Sequence, residues 1–296
     1  MSLLVFILIY ALIVFVALFV AIQWLKAQRR PKLPFKPERA RLLRGPGESL
    51  QQRIQVMDEN QIFLLLALIF VPILIGLSLL ALMQSENFAT PGARMGLALG
   101  AALLLGLSGA WYLAKEAIRR GNHHLGWFGE RMTAEEIEPL REHGWRIFHD
   151  VPGERGGFEF NIDHVLVGPG GVFSIETKMR RKGHARPGRK EHEVSYDGQV
   201  LSWPWGEDSY GLAQAARNAD WLRDWLSVVT GERLEVTPIL AFPCWYVTPP
   251  NARHAVSVVS LSYLAGFVTV RPDVLNPAQI DLFSRQFDQR CRDVEY

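Results

Sequence analysis

Cysteine is scarce in this sequence: Cys244 and Cys291 are the only two, and they lie far apart. We therefore expect no disulfide framework, which is typical of a protein in a reducing compartment. No CxxC pair is present, so a structural zinc site is not expected. The sequence also lacks a GxSxG nucleophile elbow, an SxxK motif and a phosphate-binding loop, which argues against the enzyme classes that depend on them.

Charged residues are missing from three long apolar runs, residues 3–24, 62–83 and 95–114. Each run has about 20 residues, enough to cross a hydrocarbon core of roughly 30 Å as a helix. The first run has no basic segment before it and no small-residue cleavage site after it, so we expect a retained anchor rather than a signal peptide. No ionisable group lies within the runs, so residues 1–120 are predicted to be a membrane anchor and not a transporter.

The loops predict the orientation of this anchor. Residues 26–53 contain nine Lys and Arg against two Glu, whereas residues 84–94 contain only Glu86 and Arg94. The positive-inside rule then places the N-terminus outside and the chain after Lys115 in the cytoplasm. We expect an integral protein of the inner (cytoplasmic) membrane. Its basic loop would contact anionic lipid, although a nucleic-acid arm would have a similar composition.

Residues 121–296 are numerous enough for one domain with its own core. A short amphipathic helix is predicted over residues 130–140, with Glu130 in its first turn, where a carboxylate favours a helix N-terminus. A strand, a hairpin, a second hairpin around Asp197-Gly198, a helix over residues 212–229 and further strands and helices follow. This order predicts an α/β domain with a mixed sheet.

Residues 161–178, which read NIDHVLVGPGGVFSIETK, are the most informative stretch. Two runs rich in Val, Ile and Phe flank Gly-Pro-Gly-Gly, which is typical of a β-hairpin. If Val167 faces Val172, the register places Asp163 opposite Glu176 on the same face.

Lys178 shares this face with the two carboxylates. Directly opposed residues have Cβ atoms about 5 Å apart, and like charges at that separation are destabilising. A divalent cation between Asp163 and Glu176 would account for the arrangement. The alternative is structural: an ion pair between Glu176 and Lys178, with Asp163 neutralised by Arg155.

The segment after the hairpin is strongly basic. Residues 179–190 contain no acidic residue and six basic ones: Arg180, Arg181, Lys182, Arg186, Arg189 and Lys190. Such a loop is suited to phosphate contacts with a nucleic acid. A second contact with the anionic membrane surface fits the same charge, and the sequence does not choose between the two.

The sequence resembles the nuclease-related domain (NERD), a family grouped with the PD-(D/E)xK nuclease superfamily. The resemblance rests on Gly129-Glu130, on the hairpin IDHVLVGPGGVFSIETK, and on the helix that carries Gln214 ahead of a strand. It covers about residues 126–242, and Ile162 stands where the superfamily name has proline. It implies a restriction-endonuclease-like mixed sheet flanked by helices, here preceded by an all-α region of three transmembrane helices.

The resemblance also implies roles for individual residues. Asp163 and Glu176 match the metal ligands, so Mg²⁺ or Mn²⁺ is the expected cofactor. Lys178 matches the lysine of the ExK triplet, and Glu130 and Gln214 match the further catalytic positions on the flanking helices.

Together these observations predict a membrane-anchored, metal-dependent nuclease that hydrolyses phosphodiester bonds of DNA or RNA. One alternative is a non-catalytic module that binds nucleic acid or protein at the membrane. Another is a structural membrane protein whose cytoplasmic domain mediates assembly.

Overall fold

The computed structural model describes residues 3–29, 42–84, 90–249 and 254–292. The chain divides into two compact units. The first comprises Met1–Glu38 and Arg53–Asn122, and the second comprises Arg39–Gln52 and His123–Tyr296. The second unit is therefore built from two separate stretches of sequence. The shorter of them comes from the predicted loop between the first two spans.

Three helices contain the predicted membrane spans: α1 (Leu3–Arg29), α2 (Glu48–Gln84) and α3 (Pro91–Ile137). Two helical stretches are long and apolar enough to cross a membrane, Glu48–Met83 and Pro91–His143, and the apolar stretch described in α1, Ile9–Gln23, is shorter. By length and composition alone, these two stretches could cross a membrane. Residues 30–41 and 85–89, which carry much of the predicted orientation signal, lie outside the described residues.

Aromatic side chains join α1 and α2 in the first unit. Phe15 contacts Phe70 with ring centroids 5.7 Å apart, and Phe19 contacts Phe63 at 5.2 Å. Many apolar side chains of α1, α2 and α3 remain exposed, Leu104 and Leu107 of α3 among them. Exposed apolar surface of this extent marks an interaction with lipid or with another protein.

The second unit contains two sheets and three further helices, in addition to residues 42–52 and the end of α3. The strands are β1 (Arg146–Arg155), β2 (Phe158–Gly168), β3 (Gly171–Thr177), β4 (Glu193–Tyr196), β5 (Leu201–Trp203), β6 (Gly206–Asp208), β7 (Val236–Phe242), β8 (Tyr246–Thr248) and β9 (Ser257–Ser260). The helices are α4 (Leu212–Thr230), α5 (Leu261–Thr269) and α6 (Pro277–Arg290). The main sheet has the order β1-β2-β3-β7-β9, and the smaller one β6-β5-β4-β8.

The sequence predicts one mixed sheet, and the structure has two. In the main sheet β1, β2 and β3 are antiparallel, whereas β3, β7 and β9 are parallel. In the smaller sheet β8 runs parallel to β4, and the other pairs are antiparallel. The α/β fold class is confirmed, and its mixed sheets flanked by helices are consistent with a nuclease-like fold.

Helices cover both faces of the main sheet. On one face, Leu222 and Leu226 of α4 and Phe283 and Phe287 of α6 pack on Val165 and its neighbours. The other face is covered by α5 and by the end of α3. Burying each large apolar side chain contributes roughly 1.5–3 kcal/mol. This packing fixes the strand ends from which the candidate site projects.

The separate helix expected to begin at Glu130 is not found. Glu130 lies well inside α3, which continues from the third apolar run to Ile137 and ends in a 3₁₀ helix, Glu138–His143. No proline occurs between residues 115 and 129. The glycines there cost only about 1 kcal/mol each in a helix interior, so the helix is not interrupted.

The predicted hairpin register is confirmed. Val167 pairs with Val172, and the paired residues run from Gly168–Gly171 to His164–Ile175. The second hairpin is also present, but Tyr196 pairs with Leu201, so four residues rather than two form its connection.

Candidate active site

The candidate site lies where β2 separates from β3. Pairing of the two strands stops at His164–Ile175, while β3 continues to pair with β7 through Thr177. In place of a strand-to-strand bond, the Thr177 N–H donates to Asp163 Oδ2 at 2.6 Å. The Asp163 carboxylate thus occupies the gap that opens between the strands, one residue beyond the last paired positions.

Glu176 is the most deeply buried carboxylate of the site, with 1% of its surface exposed. Lys178 Nζ donates to its Oε1 at 2.6 Å, and Asn218 Nδ2 donates to its Oε2 at 2.9 Å. The predicted alternative is therefore half right, because the Glu176–Lys178 ion pair exists. Its second half is wrong, because Arg155 lies exposed near the turn of the β1–β2 hairpin. The β1 residue opposite Asp163 is Asp150, five residues before Arg155.

Glu130 reaches the same patch from α3, and it is 6% exposed. Gly129 permits this approach, since a Cβ at that position would meet the Met179 Cβ at 3.1 Å. A hydrogen bond from Thr177 Oγ1 to Thr133 Oγ1, 3.2 Å long, fastens α3 to the end of β3. Gly129 therefore lets α3 pack closely against Met179, and the next residue, Glu130, brings a carboxylate to the end of β3.

Residues 42–52 pass beside Glu130 and are called the strap below. Asp150 anchors them: Ser49 Oγ donates to Asp150 Oδ1 at 2.6 Å, and Arg44 Nη1 donates to Oδ2 at 2.9 Å. Gly47, at a φ of +70°, lies against the Trp127 ring, where no Cβ would fit. Its backbone N–H stabilises the charged form of the Glu130 carboxylate.

Burial and mutual repulsion set the protonation of the carboxylates. Burial, then Asp150 and Glu176, raise the pKa of Glu130 to about 8. Burial, then Glu176 and Glu130, raise the pKa of Asp163 well above its ordinary value. Burial also raises the pKa of Glu176, against the opposing effect of Lys178. Without a cation, the patch therefore retains protons at neutral pH.

Lys178 remains charged. Burial alone would lower the pKa of its ammonium, but the nearby Glu176 and Asp163 carboxylates outweigh that effect and raise it. The site thus combines a permanent positive charge with carboxylates that titrate above their ordinary range.

Gln214 is half-buried in the first turn of α4. Among the described residues, no hydrogen bond joins it to the carboxylates. Asn218, one turn further along the same helix, makes the contact with Glu176 instead. Sequence reasoning missed Asn218, although it is a polar residue between the buried Ala215 and Leu222 and therefore lies on the face that α4 turns towards the sheet.

The basic loop leaves β3 beside the site, and half of its charges are paired. Arg180 pairs with Asp208, Lys182 with Glu191 and Lys190 with Glu193. The other three, Arg181, Arg186 and Arg189, are exposed, and in the described parts of the chain no ion pair engages them. These three arginines are the charge available to an anionic ligand.

The donor set fits a hard divalent cation, because Asp163, Glu176 and Glu130 offer only carboxylate oxygens. Within residues 3–29, 42–84, 90–249 and 254–292, no group of three His, Cys, Asp or Glu side chains is already arranged as a metal cluster. Asp163 Oδ2 is engaged by Thr177 and both oxygens of Glu176 are hydrogen-bonded. A cation would bind to the remaining lone pairs of these oxygens and would displace protons.

Comparison with protein families shows that residues 125–243 match the nuclease-related domain (NERD) model. The crystal structure of protein VC1899 from Vibrio cholerae is similar at 13% sequence identity and a TM-score of 0.28. That match covers 85% of this chain and 59% of the Vibrio protein, so the chain spans about three fifths of that protein's length. Comparison with curated proteins found no match.

Proposed function

We propose that the chain is a membrane-anchored, metal-dependent nuclease, because residues 125–243 match the nuclease-related domain model. It would hydrolyse phosphodiester bonds of DNA or RNA with Mg²⁺ or Mn²⁺ as cofactor. The second unit would be the catalytic domain, and the apolar helices would hold it at the cytoplasmic face of the membrane.

One observation carries the proposal: three carboxylates, on Glu130, Asp163 and Glu176, lie close enough to Lys178 for it to act on each of them. Glu176 and Glu130 each raise the pKa of Asp163, so their charges act on one another. Lys178 acts on all three carboxyls and Arg217 also acts on Glu176, yet the pKa of each carboxyl stays raised. A structural ion pair would need only one carboxylate, whereas a divalent cation accounts for the other two.

The residues would divide the chemistry as follows. Asp163 and Glu176 would hold the cation, which when bound supplies charge neutralisation of the phosphate and a more acidic water. Lys178 keeps its charge and can donate hydrogen bonds to the attacking water or to a phosphate oxygen. The pKa of Glu130 is about 8 without a cation. A bound cation would release its proton, and the free carboxylate would then accept the proton of that water.

Gln214 and Asn218 would act from α4. Asn218 fixes the rotamer of Glu176 through its 2.9 Å hydrogen bond. Gln214 lies half-buried one turn earlier, near the start of the helix, and would contact the nucleic-acid backbone.

Nucleic acid is the proposed substrate because the basic loop begins at the site. The loop follows Lys178 directly, and its unpaired Arg181, Arg186 and Arg189 would neutralise backbone phosphates. Lys182 and Lys190 are exposed as well and would exchange their partners Glu191 and Glu193 for phosphate.

A non-catalytic binding module is the second candidate. The observation in its favour is that both oxygens of Glu176 are already hydrogen-bonded, by Lys178 and Asn218. In such a module the loop would still bind nucleic acid, and the buried ion pair would only support the fold.

A cleavage assay with the full chain in detergent separates these candidates. Labelled DNA and RNA, single- and double-stranded, are incubated with Mg²⁺, with Mn²⁺ or with EDTA. We expect cleavage that EDTA abolishes and Mg²⁺ restores. Asp163→Asn and Lys178→Ala should each lower the rate at least about 100-fold, the usual effect of removing one group that stabilises the transition state.

Asp281→Asn is the matched control, since Asp281 is an exposed carboxylate on α6. Asn can still accept the hydrogen bond from Thr177, so Asp163→Asn should keep the fold, and thermal unfolding checks this. Absence of cleavage with any substrate, or equal cleavage by Asp163→Asn and Asp281→Asn, would contradict the nuclease proposal.

A further inference from the structure

An exposed aromatic ring lies beside the candidate lysine. Tyr210, in the turn between β6 and α4, has 59% of its surface exposed. Lys178 Nζ lies 5.4 Å from the centre of its ring, and the guanidinium carbon of Arg180 lies 5.3 Å from the same ring. Two cations from the strand end thus contact one solvent-facing tyrosine.

Asp208 holds this group together. Its Oδ1 accepts the Tyr210 backbone N–H at 3.0 Å, and its Oδ2 accepts a hydrogen bond from Arg180. The Arg180 guanidinium also lies 4.9 Å from the Trp203 ring, and the Arg180 carbonyl oxygen accepts Trp245 Nε1–H at 3.2 Å. The position of Arg180 beside the Tyr210 ring is therefore fixed by several contacts.

The backbone after Tyr210 is fixed as well. Gly211 takes a φ of +93°, and a Cβ at that position would lie 3.2 Å from Lys178 Cγ. The chain therefore passes in direct contact with the stem of Lys178 before α4 begins. The backbone is held on both sides of Tyr210. The protein would therefore lose little conformational entropy when a ligand binds to the ring.

The charges around the ring favour a nucleotide. Lys178 and Arg180 lie beside the ring, but each is paired with a carboxylate. The two cations therefore polarise the ring while the net charge next to it stays small. The unpaired charge lies further along the loop, on Arg181, Arg186 and Arg189. An aromatic surface next to a track of cations is the combination that binds single strands, whose bases stack while their phosphates are neutralised.

We propose that Tyr210 is a stacking platform for an unpaired base, and that the substrate class is single-stranded nucleic acid. A base within a duplex is covered on both faces by its neighbours, whereas an unpaired base can lie on a side-chain ring. The base on Tyr210 would place the adjoining phosphate beside Lys178. This inference rests on the proposed function, because it takes nucleic acid as the ligand.

Binding in EDTA tests the platform independently of cleavage. The full chain in detergent is titrated into a fluorescein-labelled 12-nucleotide strand and into the duplex of the same sequence, at one fixed salt concentration, and anisotropy is read. Tyr210→Ala should weaken binding of the single strand about tenfold, the usual effect of losing one stacked base. Tyr210→Phe, which keeps the ring, should bind as the original chain does.

Tyr263→Ala is the matched control, because Tyr263 is 50% exposed on α5, on the opposite face of the main sheet. Tyr263→Ala should leave the binding of both the single strand and the duplex unchanged. The platform is overturned if Tyr210→Ala binds the single strand unchanged, if it loses single strand and duplex equally, or if the original chain binds neither. Binding that depends on the Tyr210 ring without any cleavage would instead remove the nuclease proposal and keep the platform.

Discussion

A proton resides on Glu130 at neutral pH, because burial, Asp150 and Glu176 raise the pKa of its carboxyl to about 8. In the unfolded chain the same carboxyl has an ordinary pKa of 4.5. Between these two values the folded chain binds more protons than the unfolded chain. The free energy of unfolding therefore decreases as pH rises through this window, and the contribution of Glu130 levels off above its folded pKa.

Glu130→Gln should remove this dependence. The amide resembles the protonated carboxyl, so we expect the thermal midpoint of the variant to exceed that of the original chain at pH 8.5. The difference should disappear near pH 5. Mg²⁺ should raise the midpoint of the original chain at pH 8.5 more than that of the variant, since a bound cation relieves the same repulsion.

The measurement is a series of thermal unfolding curves in detergent from pH 5 to pH 8.5. Glu135→Gln serves as the control, because Glu135 is exposed on the same helix. If Glu130→Gln and Glu135→Gln give the same pH profile, the charge on Glu130 does not oppose folding.

At the scale of single elements, α4 supports the site through its buried face. Ala215, Ala219 and Leu222 pack inward, and Asn218 lies among them with its amide on Glu176. An amide within an apolar helix face is unfavourable unless it is hydrogen-bonded. Asn218 therefore couples the packing of the helix to the orientation of the Glu176 carboxylate.

Asn218→Ala should reduce the free energy of unfolding by about 1–3 kcal/mol, because it leaves a buried carboxylate oxygen without its donor. Urea unfolding followed by tryptophan fluorescence would report it, since Trp221 and Trp225 lie on the same helix. Gln214→Ala, one turn earlier, is the control and should cost less than about 0.5 kcal/mol. Equal losses for the two variants would mean that Asn218 only fills space.

The sequence predicted those elements whose pattern is local. The alternation of Val165, Val167 and Val172 around a glycine-rich turn was enough to give the β2–β3 register, and helical spacing gave α4. It could not predict that α3 continues through Glu130, because no helix breaker separates the apolar part of α3 from the part that packs in the second unit. Nor could it predict the gap between β2 and β3, which depends on a side chain replacing a backbone partner.

At the scale of the whole molecule, the strap makes the second unit discontinuous in sequence. Asp150 has a φ of +48° and is 2% exposed. Its partners Arg44 and Ser49 come from more than 100 residues earlier in the chain. No local pattern indicates such a pairing, and for this reason sequence reasoning assigned residues 42–52 to a membrane loop.

Ser49→Ala should reduce the free energy of unfolding by about 1–3 kcal/mol, since it removes a short hydrogen bond to a buried carboxylate. It should also weaken the hold on Gly47 and so alter the pH profile of Glu130. Ser202→Ala is the control, because the Ser202 hydroxyl donates to an exposed Glu207. Chemical denaturation of both variants in detergent provides the comparison, and a Ser49→Ala curve that overlays that of Ser202→Ala would show that the strap adds nothing to stability.

The strap also determines which residues a water-soluble form of the second unit must contain. A polypeptide that starts at residue 121 would contain every predicted site residue, yet it would expose Asp150 without its donors and leave Glu130 without Gly47. Gly47 rests on Trp127, and Leu50 rests on Gly126, so the end of the strap and the start of the second segment are neighbours. Starting the chain at Arg39, excising Arg53–Asn122 and joining Gln52 to His123 through a short flexible linker therefore keeps the two-segment domain intact and removes both parts of the apolar first unit.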